Sequence, residues 1–141
     1  MYLPDTNLLV YCVNGTSLYH RKAVNWLETA LNEPAGVGFA WLALVGFVRI
    51  ATHPKVLPTP LTVASATGMV DEWIAQPRAS ILQPTQRHGD VLAKLLLLVG
   101  TAGNLTNDAH LAALSIEHGC TVGTFDTDFK KFPGIKLDLL S

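Results

Sequence analysis

Short apolar segments alternate along this chain with longer segments in which apolar residues recur every three or four positions. The short segments are typical of buried strands, and the longer spacing is typical of helices with one apolar face. Their alternation predicts an α/β fold built on a mostly parallel sheet. The chain has 141 residues and no break in the alternation marks a boundary, so we expect one domain over residues 1–141.

The expected elements follow from the spacing of apolar residues and from helix caps and breakers. Strands are predicted at residues 2–4, 37–40, 79–82, 121–125 and 135–139. Helices are predicted at residues 8–13, 20–32, 41–52, 62–75, 88–99 and 108–118, with a loop over residues 100–107. Because proline cannot donate a backbone hydrogen bond, we expect Pro4 to end the first strand and the proline-rich segment 53–60 to break regular structure.

The composition limits the kinds of partner that the chain can bind. Its 10 Lys and Arg residues face 11 Asp and Glu residues, so no basic field favours non-specific nucleic-acid binding, and any contact with RNA must be local. Only 15% of the residues are charged while 49% are hydrophobic, which is more apolar than an average soluble domain. This excess predicts an apolar surface that meets a partner protein.

Other functional classes find little support in the sequence. The most apolar stretch, residues 34–48, is shorter than the roughly 20 residues that a membrane-spanning helix requires. The first residues carry Asp5 and no basic leader, so we expect a cytoplasmic protein without a membrane span.

Cys12 and Cys120 lack the spacing of metal ligands and are expected to be small core residues. The histidines form no zinc motif; they are His20, His53, His88, His110 and His118.

Three aspartates fall where a parallel sheet would bring them together. Asp5 follows the first predicted strand and Asp126 follows the fourth, and ligands of open parallel sheets bind at the carboxyl ends of the strands. Asp108 opens a predicted helix, and at 100° per residue it lies on the same side as Leu111 and Ile116. A carboxylate that faces a core is costly unless it is paired, and no Lys or Arg lies within one turn of Asp108. A bound cation would satisfy it.

Each aspartate also has a purely structural interpretation, and the sequence leaves both open. Asp5 can cap a helix, Asp126 can stabilise a turn, and Asp108 can interact with the dipole of its helix. If the three converge, a set of carboxylate oxygens without His or Cys favours Mg²⁺ or Mn²⁺ over zinc. Such an ion can bind phosphate oxygens and activate a water, which indicates a nuclease or a phosphatase.

Four segments, in order along the chain, closely resemble the PIN-domain ribonuclease toxins of VapC type, the toxic half of VapBC toxin–antitoxin pairs. They are PDTNLLV, GFVRIATHP, GTAGNLTNDAHLAALSIEHG and TFDTDFKKFPG. The resemblance spans the whole chain. It implies a three-layer α/β/α sandwich with a mostly parallel sheet, whose acidic residues bind one or two Mg²⁺ or Mn²⁺ ions and which hydrolyses RNA phosphodiester bonds.

The resemblance also implies roles for individual residues. The expected metal ligands are Asp5, Asp108 and Asp126, and the expected catalytic group adds Asp128, which matches a further acid often found two residues after Asp126. The polar neighbours expected to support these acids by hydrogen bonds are Thr6, Asn7 and Thr124.

The chain departs from the family pattern at Gly46, where many members carry a Glu in a sequence like EFVR. A glycine inside a helix costs about 1 kcal/mol relative to alanine, so it indicates either close packing or drift. One carboxylate fewer should weaken a second metal position, and we expect a single ion until substrate phosphate completes the site.

Arg49 lies one turn beyond Gly46 on the same face, where it could contact RNA phosphate, fill the space of the missing Glu, or be solvated. Lys130 and Lys131 could hold the RNA backbone or be solvated.

The leading hypothesis is the toxin of a type II toxin–antitoxin pair, an Mg²⁺- or Mn²⁺-dependent endoribonuclease that uses a metal-activated water. The alternative is a PIN-fold module that binds RNA or an antitoxin but has a weakened or inactive metal site. A phosphatase of the haloacid-dehalogenase kind is disfavoured, because its DxD motif follows the first strand whereas the DTD of this chain, residues 126–128, lies near the end.

The resemblance also implies partners. A VapB-type antitoxin is expected to bind an apolar groove that involves residues 11–31 and 41–48, and the protein is expected to form a homodimer. The RNA that is cut cannot be inferred from the sequence, because RNA recognition depends on surface shape.

Overall fold

A five-stranded parallel sheet forms the centre of the protein in a computed structural model that describes residues 1–100 and 103–141, without the side chain of residue 104. The strands are β1 (Tyr2–Pro4), β2 (Val37–Phe39), β3 (Ala79–Ile81), β4 (Thr121–Thr124) and β5 (Lys136–Leu139). The helices are α1 (Thr6–Tyr11), α2 (His20–Asn32), α3 (Trp41–Ala51), α4 (Val63–Ile74), α5 (His88–Val99) and α6 (Thr106–His118). Short 3₁₀ turns cover Gly103–Leu105 and Thr127–Lys131. The predicted α/β fold with a mostly parallel sheet is confirmed.

The order of the strands, β3-β2-β1-β4-β5, places β1 in the middle of the sheet. From β1 the chain builds outward to β2 and β3 on one side, and β4 and β5 are added on the other side. The strand order therefore reverses between the neighbouring strands β1 and β4. Open α/β sheets bind their ligands beside such a switch point, at the carboxyl ends of the strands. The register pairs Pro4 with Gly123, and the Asp5 N–H donates to the carbonyl of Gly123 at 3.1 Å. The residues that follow β1 and β4 thus come to one edge.

Helices cover both faces of the sheet, as the predicted three-layer sandwich requires. Successive side chains of a strand point to opposite faces. On one face, the ring of Tyr2 packs edge-on against Trp26 of α2, with 5.7 Å between the ring centroids. On the other face, Leu3 and Val122 are fully buried.

Gly123 allows α2 to approach β4 closely. A Cβ atom at this position would lie 2.1 Å from Cζ2 of Trp26, so any other residue would displace the indole. The indole is also tied to the edge strand, because its Nε1 donates to Oδ2 of Asp138 at 2.8 Å. This contact connects α2, β4 and β5 on one side of the sheet.

The observed boundaries differ from the predicted ones mainly where a helix begins. Helix α1 covers residues 6–11 rather than 8–13, because Asp5 itself caps it by accepting a hydrogen bond from the Leu8 N–H. Helix α6 begins at Thr106, so Asp108 lies within its first turn. The loop predicted over residues 100–107 falls partly on residues 101–102, which lie outside the described residues. No helix in the described ranges is long and apolar enough to cross a bilayer.

Candidate metal centre

An acidic cleft of about 170 Å³ opens at the edge where β1 and β4 end. Helices α1, α3 and α6 supply its walls. Three of the four predicted acids line it, namely Asp5, Asp108 and Asp126. Four other residues that the sequence analysis discussed also line it, namely Thr6, Asn7, Gly46 and Arg49. The structure therefore brings these residues together from four separate segments of the chain.

Asp5 is the most firmly held of the acids. Its Oδ1 accepts a hydrogen bond from the Leu8 N–H at 2.9 Å and its Oδ2 accepts one from the Thr124 hydroxyl at 2.5 Å, with only 4% of the residue exposed. Burial raises the pKa of Asp5 to about 6; the two hydrogen bonds oppose this shift, and the negative charge of Asp126 adds to it. Asp5 thus caps α1 and lines the cleft at once, so its two possible roles are compatible.

Asp108 enters the cleft from the first turn of α6. Burial raises the pKa of Asp108 to about 7, and the negative charges of Asp126, Asp5 and Asp128 add to the shift in that order. Among the described residues, Asp108 forms no ion pair that would relieve this repulsion. The charge on Asp108 is therefore unfavourable at neutral pH unless a cation is bound.

Asp126 lines the cleft just after β4, and Asp128 follows it in the 3₁₀ turn Thr127–Lys131. The Asp126 N–H donates to the Thr124 hydroxyl oxygen at 2.9 Å, and Oδ1 of Asp126 accepts from the Asp128 N–H at 2.8 Å. Oδ1 of Asp128 lies 3.0 Å from Nζ of Lys131, in an ion pair that is exposed on both sides and therefore weak. Lys131 therefore contacts an acid of the cluster.

The donor atoms in this cleft fit a hard divalent cation. Carboxylate oxygens of Asp108, Asp126 and Asp128 lie within 4.8 Å of one another, close enough to bind a common ion. Asp5 lies outside this group of three but lines the same cleft as two of its members. Oxygen ligands without His or Cys suit Mg²⁺ or Mn²⁺, and such an ion would offset the burial and the mutual repulsion that raise the pKa values of Asp5 and Asp108.

The absence of a carboxylate at position 46 has a packing reason. A Cβ atom on Gly46 would lie 2.9 Å from both Cγ2 and Oγ1 of Thr6, so another residue at position 46 would require the Thr6 side chain to shift. The space that a glutamate would enter is thus limited by the Thr6 side chain. Of the two explanations offered by the sequence, this contact favours close packing over drift.

Arg49 is the positively charged residue among those that line the cleft in the described part of the chain. It lies one turn after Gly46 on α3, is exposed, and lines both the acidic cleft and a neighbouring apolar groove. Within the described part of the chain its guanidinium forms no ion pair. It is therefore available to a phosphate or carboxylate that enters the cleft.

The sequence did not indicate the roles of two groups on α6, one of which lines the cleft while the other lies on the opposite face of the helix. Asn107 lines the cleft beside Asp108, and its position next to a predicted ligand was the available signal. His88 lies between two residues of α6, with Nδ1 2.5 Å from Oε2 of Glu117 and Nε2 3.0 Å from Nδ1 of His110. His110 and Glu117 share a face of α6 roughly opposite Asp108, so this group connects α5 to α6 away from the cleft.

Sequence reasoning also missed a group of aromatic rings beside the acids. The rings of Tyr11, Tyr19 and Phe125 contact one another, and Phe125 directly precedes Asp126. The only available signal was that Phe125 adjoins one acid and that Tyr11 ends the helix capped by another. Their contact with Tyr19 depends on the fold.

The fold and cleft define an α/β protein with an acidic site at the carboxyl edge of its sheet. The family model of the PIN domain matches residues 2–135. Ribonuclease VapC37 of Mycobacterium tuberculosis is 46% identical over 138 residues, which cover 98% of this chain and 96% of that protein. Ribonuclease VapC33 of the same species is 41% identical over 136 residues, with 96% and 95% covered. The chain therefore belongs to the PIN-domain family, in its VapC group.

Solved structures of more distant proteins share the fold. VapBC2 from Rickettsia felis, bound to a DNA fragment from their promoter, matches with a TM-score of 0.72 and 20% identity over 99% of this chain and 98% of that chain. DNA-bound VapBC from Salmonella typhimurium matches with a TM-score of 0.64 and 18% identity over 97% and 96%. At these identities the likeness establishes the three-layer fold alone.

The contact between Gly46 and Thr6 leads to a first prediction. Gly46→Ala is expected to lower the free energy of unfolding by about 1–3 kcal/mol, because overpacking outweighs the better helix propensity of alanine. In a Thr6→Ala background, where the two nearest atoms are absent, the same change should be neutral or stabilising. Urea unfolding of the four proteins measures this coupling, with Gly68→Ala as a control because a Cβ at Gly68 meets no atom within 4 Å. Equal effects in both backgrounds would contradict it.

The raised pKa of Asp108 leads to a second prediction. Because its pKa is about 7 in the folded protein, above its ordinary value of 3.8, its ionisation opposes folding as the pH rises from about 4 to about 7. Metal-free Asp108→Asn should therefore melt at a higher temperature than the wild type at pH 7.5, and this difference should disappear near pH 4. Thermal melts across this range measure it, and Mn²⁺ should reduce the difference at pH 7.5. A difference that does not vary with pH would refute the prediction.

Proposed function

We propose that this protein is the toxin of a type II toxin–antitoxin pair and acts as an Mg²⁺- or Mn²⁺-dependent endoribonuclease. The observation that carries the proposal is the meeting of four aspartates, with raised pKa values at Asp5 and Asp108, where β1 and β4 end. Such an arrangement is unfavourable for an empty site and suits a hard cation. The relatives at 46% and 41% identity are named ribonucleases, and they match almost the full chain.

In the proposed reaction the acids share the binding of one metal ion, and neighbouring residues support them or bind the RNA. A bound ion would lower the pKa of a water for attack on phosphorus and would stabilise the charge of the transition state. Asp108 and Asp126 would hold that ion, with Asp5 or Asp128 completing the set. The Thr124 hydroxyl donates to Asp5 and accepts from the Asp126 N–H, so a single side chain fixes two acids relative to each other. Arg49 is placed to bind a phosphate of the RNA, at the wall that lacks a carboxylate.

The alternative, a PIN-fold binding module without nuclease activity, rested on Gly46. Close packing against Thr6 offers a structural reason for that residue that does not depend on an inactive site. The remaining acids keep their carboxylates and their hydrogen bonds. The structure therefore favours the enzyme over the inactive module.

Cleavage of RNA by paired variants tests the enzyme. Asp108→Asn should lower metal-dependent cleavage by at least about a hundredfold, because it removes a charged ligand of the proposed ion. Asp90→Asn is the matched control, because Asp90 also lies in the first turn of a helix but is exposed and outside the cleft. We expect Asp90→Asn to cut RNA like the wild type.

The measurement combines purified protein with expression in cells. Purified variants are incubated with RNA and Mn²⁺, with EDTA as the metal-free control, and 5′ ends are mapped in cells after induction. Folded Asp108→Asn that still cuts RNA and still arrests growth would rule out this site as the nuclease centre. Growth arrest without cleavage would favour the binding module.

The antitoxin is proposed to cover an apolar groove between α3 and α4. The groove has a volume of about 470 Å³, is lined by Trp41, Val45, Val48 and Val70, and shares Val45 and Arg49 with the acidic cleft. The apolar groove therefore adjoins the acidic cleft, and one bound peptide segment can contact both. The solved relatives from Rickettsia felis and Salmonella typhimurium are VapBC complexes. The groove contains part of the surface predicted at residues 41–48, whereas residues 11–31 lie outside it.

Binding of the antitoxin should depend on the exposed indole in this groove. Trp41 is 47% exposed, and a buried tryptophan is a frequent hot spot of protein interfaces. Trp41→Ala should weaken binding of the small VapB-type protein encoded beside the toxin by at least about tenfold, measured by calorimetry. Val63→Ala is the control, because Val63 is exposed on the same helix pair but does not line the groove. Equal affinities for both variants would contradict this placement.

The remaining parts of the proposal concern the working form of the protein. RNA is the proposed substrate, residues 1–141 are proposed to act as one domain in the cytoplasm, and a homodimer is the proposed assembly. Apolar surface outside the groove supports the homodimer, since Leu97 and Leu98 at the end of α5 are largely exposed.

A further inference from the structure

A solvent-facing cluster of three aromatic rings lies beside the acidic cleft. The ring centroids of Tyr19 and Phe125 are 4.6 Å apart, and that of Tyr11 lies 5.2 Å from each of them. We call this group the aromatic cluster. It differs from the buried group of Phe39, Phe47 and Trp73, because Tyr19 is 39% exposed and the other two rings are half-buried. The aromatic cluster is therefore a surface that a ligand can reach.

The position of the aromatic cluster is fixed by the same elements that position the acids. Phe125 directly precedes Asp126 at the end of β4, and Tyr11 is the last residue of the helix that Asp5 caps. Tyr11 lies six positions after Asp5 along this helix, a rise of about 9 Å. Burial raises the pKa of the Tyr11 phenol, and the charges of Tyr19, Asp5 and Asp126 add to the shift, which agrees with this proximity.

The backbone of Tyr19 is held in place, and its ring packs against Phe125. Its backbone N–H donates to the Ser17 hydroxyl at 3.1 Å, and its carbonyl accepts from the Ala23 N–H at 2.9 Å, so it is held at the start of α2. The Phe125 ring supports the Tyr19 ring at a tilt of 36°. A supported ring loses little conformational freedom when a ligand stacks on it, which favours binding.

Electrostatics near the cleft favour a neutral ligand group at the aromatic cluster. Four carboxylates lie close by and the chain has no net positive charge, so phosphate contacts alone would bind RNA weakly here. An unpaired nucleobase is uncharged and stacks on an aromatic face whatever its sequence. Base stacking can thus hold RNA beside an acidic site without adding charge repulsion.

We propose that the aromatic cluster binds one unpaired base of the RNA substrate, stacked on the exposed Tyr19 side chain, and so positions a neighbouring phosphodiester at the acids. This inference rests on the proposed ribonuclease function. Tyr19 acts as a positioning residue, because it contacts the substrate away from the reacting atoms. Cleavage should then require a single-stranded segment next to the cut.

The test combines a change in the protein with a change in the RNA. A single-stranded RNA that the wild type cuts is synthesised with an abasic site at one position after another on either side of the cut. We expect one abasic position to raise KM roughly tenfold, because the stacked base is lost, while kcat changes little. Tyr19→Leu should raise KM by a similar factor on intact RNA and should have no further effect on that abasic RNA. Tyr19→Phe should behave like the wild type.

A second measurement separates this inference from the proposed function. Fluorescence anisotropy of a labelled, unstructured RNA with Asp108→Asn measures binding without cleavage, with Tyr19→Leu added in one arm. Dependence of binding on Tyr19 supports the inference even if the wild type cuts no RNA. If the wild type cuts RNA but Tyr19→Leu equals it in KM and binding, the inference is overturned while the nuclease stands.

Leu18→Ala is the matched control, because Leu18 adjoins Tyr19 and is 94% exposed but has no ring to stack. Circular dichroism verifies that each variant is folded, and the abasic RNA tests the contact without changing the protein. Equal loss on intact and abasic RNA, or weakened antitoxin binding with unchanged RNA binding, would overturn the assignment of Tyr19 to a base.

Discussion

The hydrogen bonds between β1 and β4 determine where every acid of the site lies. Their register places Asp5 level with the end of β4, where its N–H bonds to the Gly123 carbonyl. The Thr124 hydroxyl then joins Asp5 to the backbone of Asp126. A slip of this register would reverse the faces of the strand residues and separate the acids. The Gly123 contact with Trp26 holds the same strand from the other side, so packing and site depend on one strand pair.

This arrangement concentrates negative charge at a cost to the folded state. Asp5 and Asp108 have pKa values of about 6 and about 7, so each resists ionisation at the pH where a metal ligand has to be charged. A ligand that binds only the folded state stabilises it, and a cation here would stabilise it most where the carboxylates repel most. The burial and mutual repulsion of the carboxylates are thus the same features that make the cleft favourable for a cation.

The sequence predicted the parts of this site that depend on local pattern. Asp5 and Asp126 could be placed because each follows a strand, and Asp108 because helical periodicity directs it inward. The reason for Gly46 could not be predicted, since it depends on how closely α1 packs against α3. The aromatic cluster was missed for a similar reason, because Tyr19 and Phe125 are far apart in sequence and no periodic pattern joins them. Pattern thus locates residues on elements, while contacts between elements require the fold.

Gly46 gives the two walls of the cleft different chemistry. The wall formed by β1, β4 and α6 carries Asp5, Asp108 and Asp126, whereas the α3 wall presents Gly46, Val45 and the exposed Arg49. A cation is therefore drawn to one wall, and an anionic group of a substrate or a partner is drawn to the other. Because Val45 and Arg49 also line the apolar groove, whatever fills the groove meets the same guanidinium that faces the acids. A partner bound in the groove and a substrate bound in the cleft would then compete for contact with Arg49, because this residue lines both surfaces.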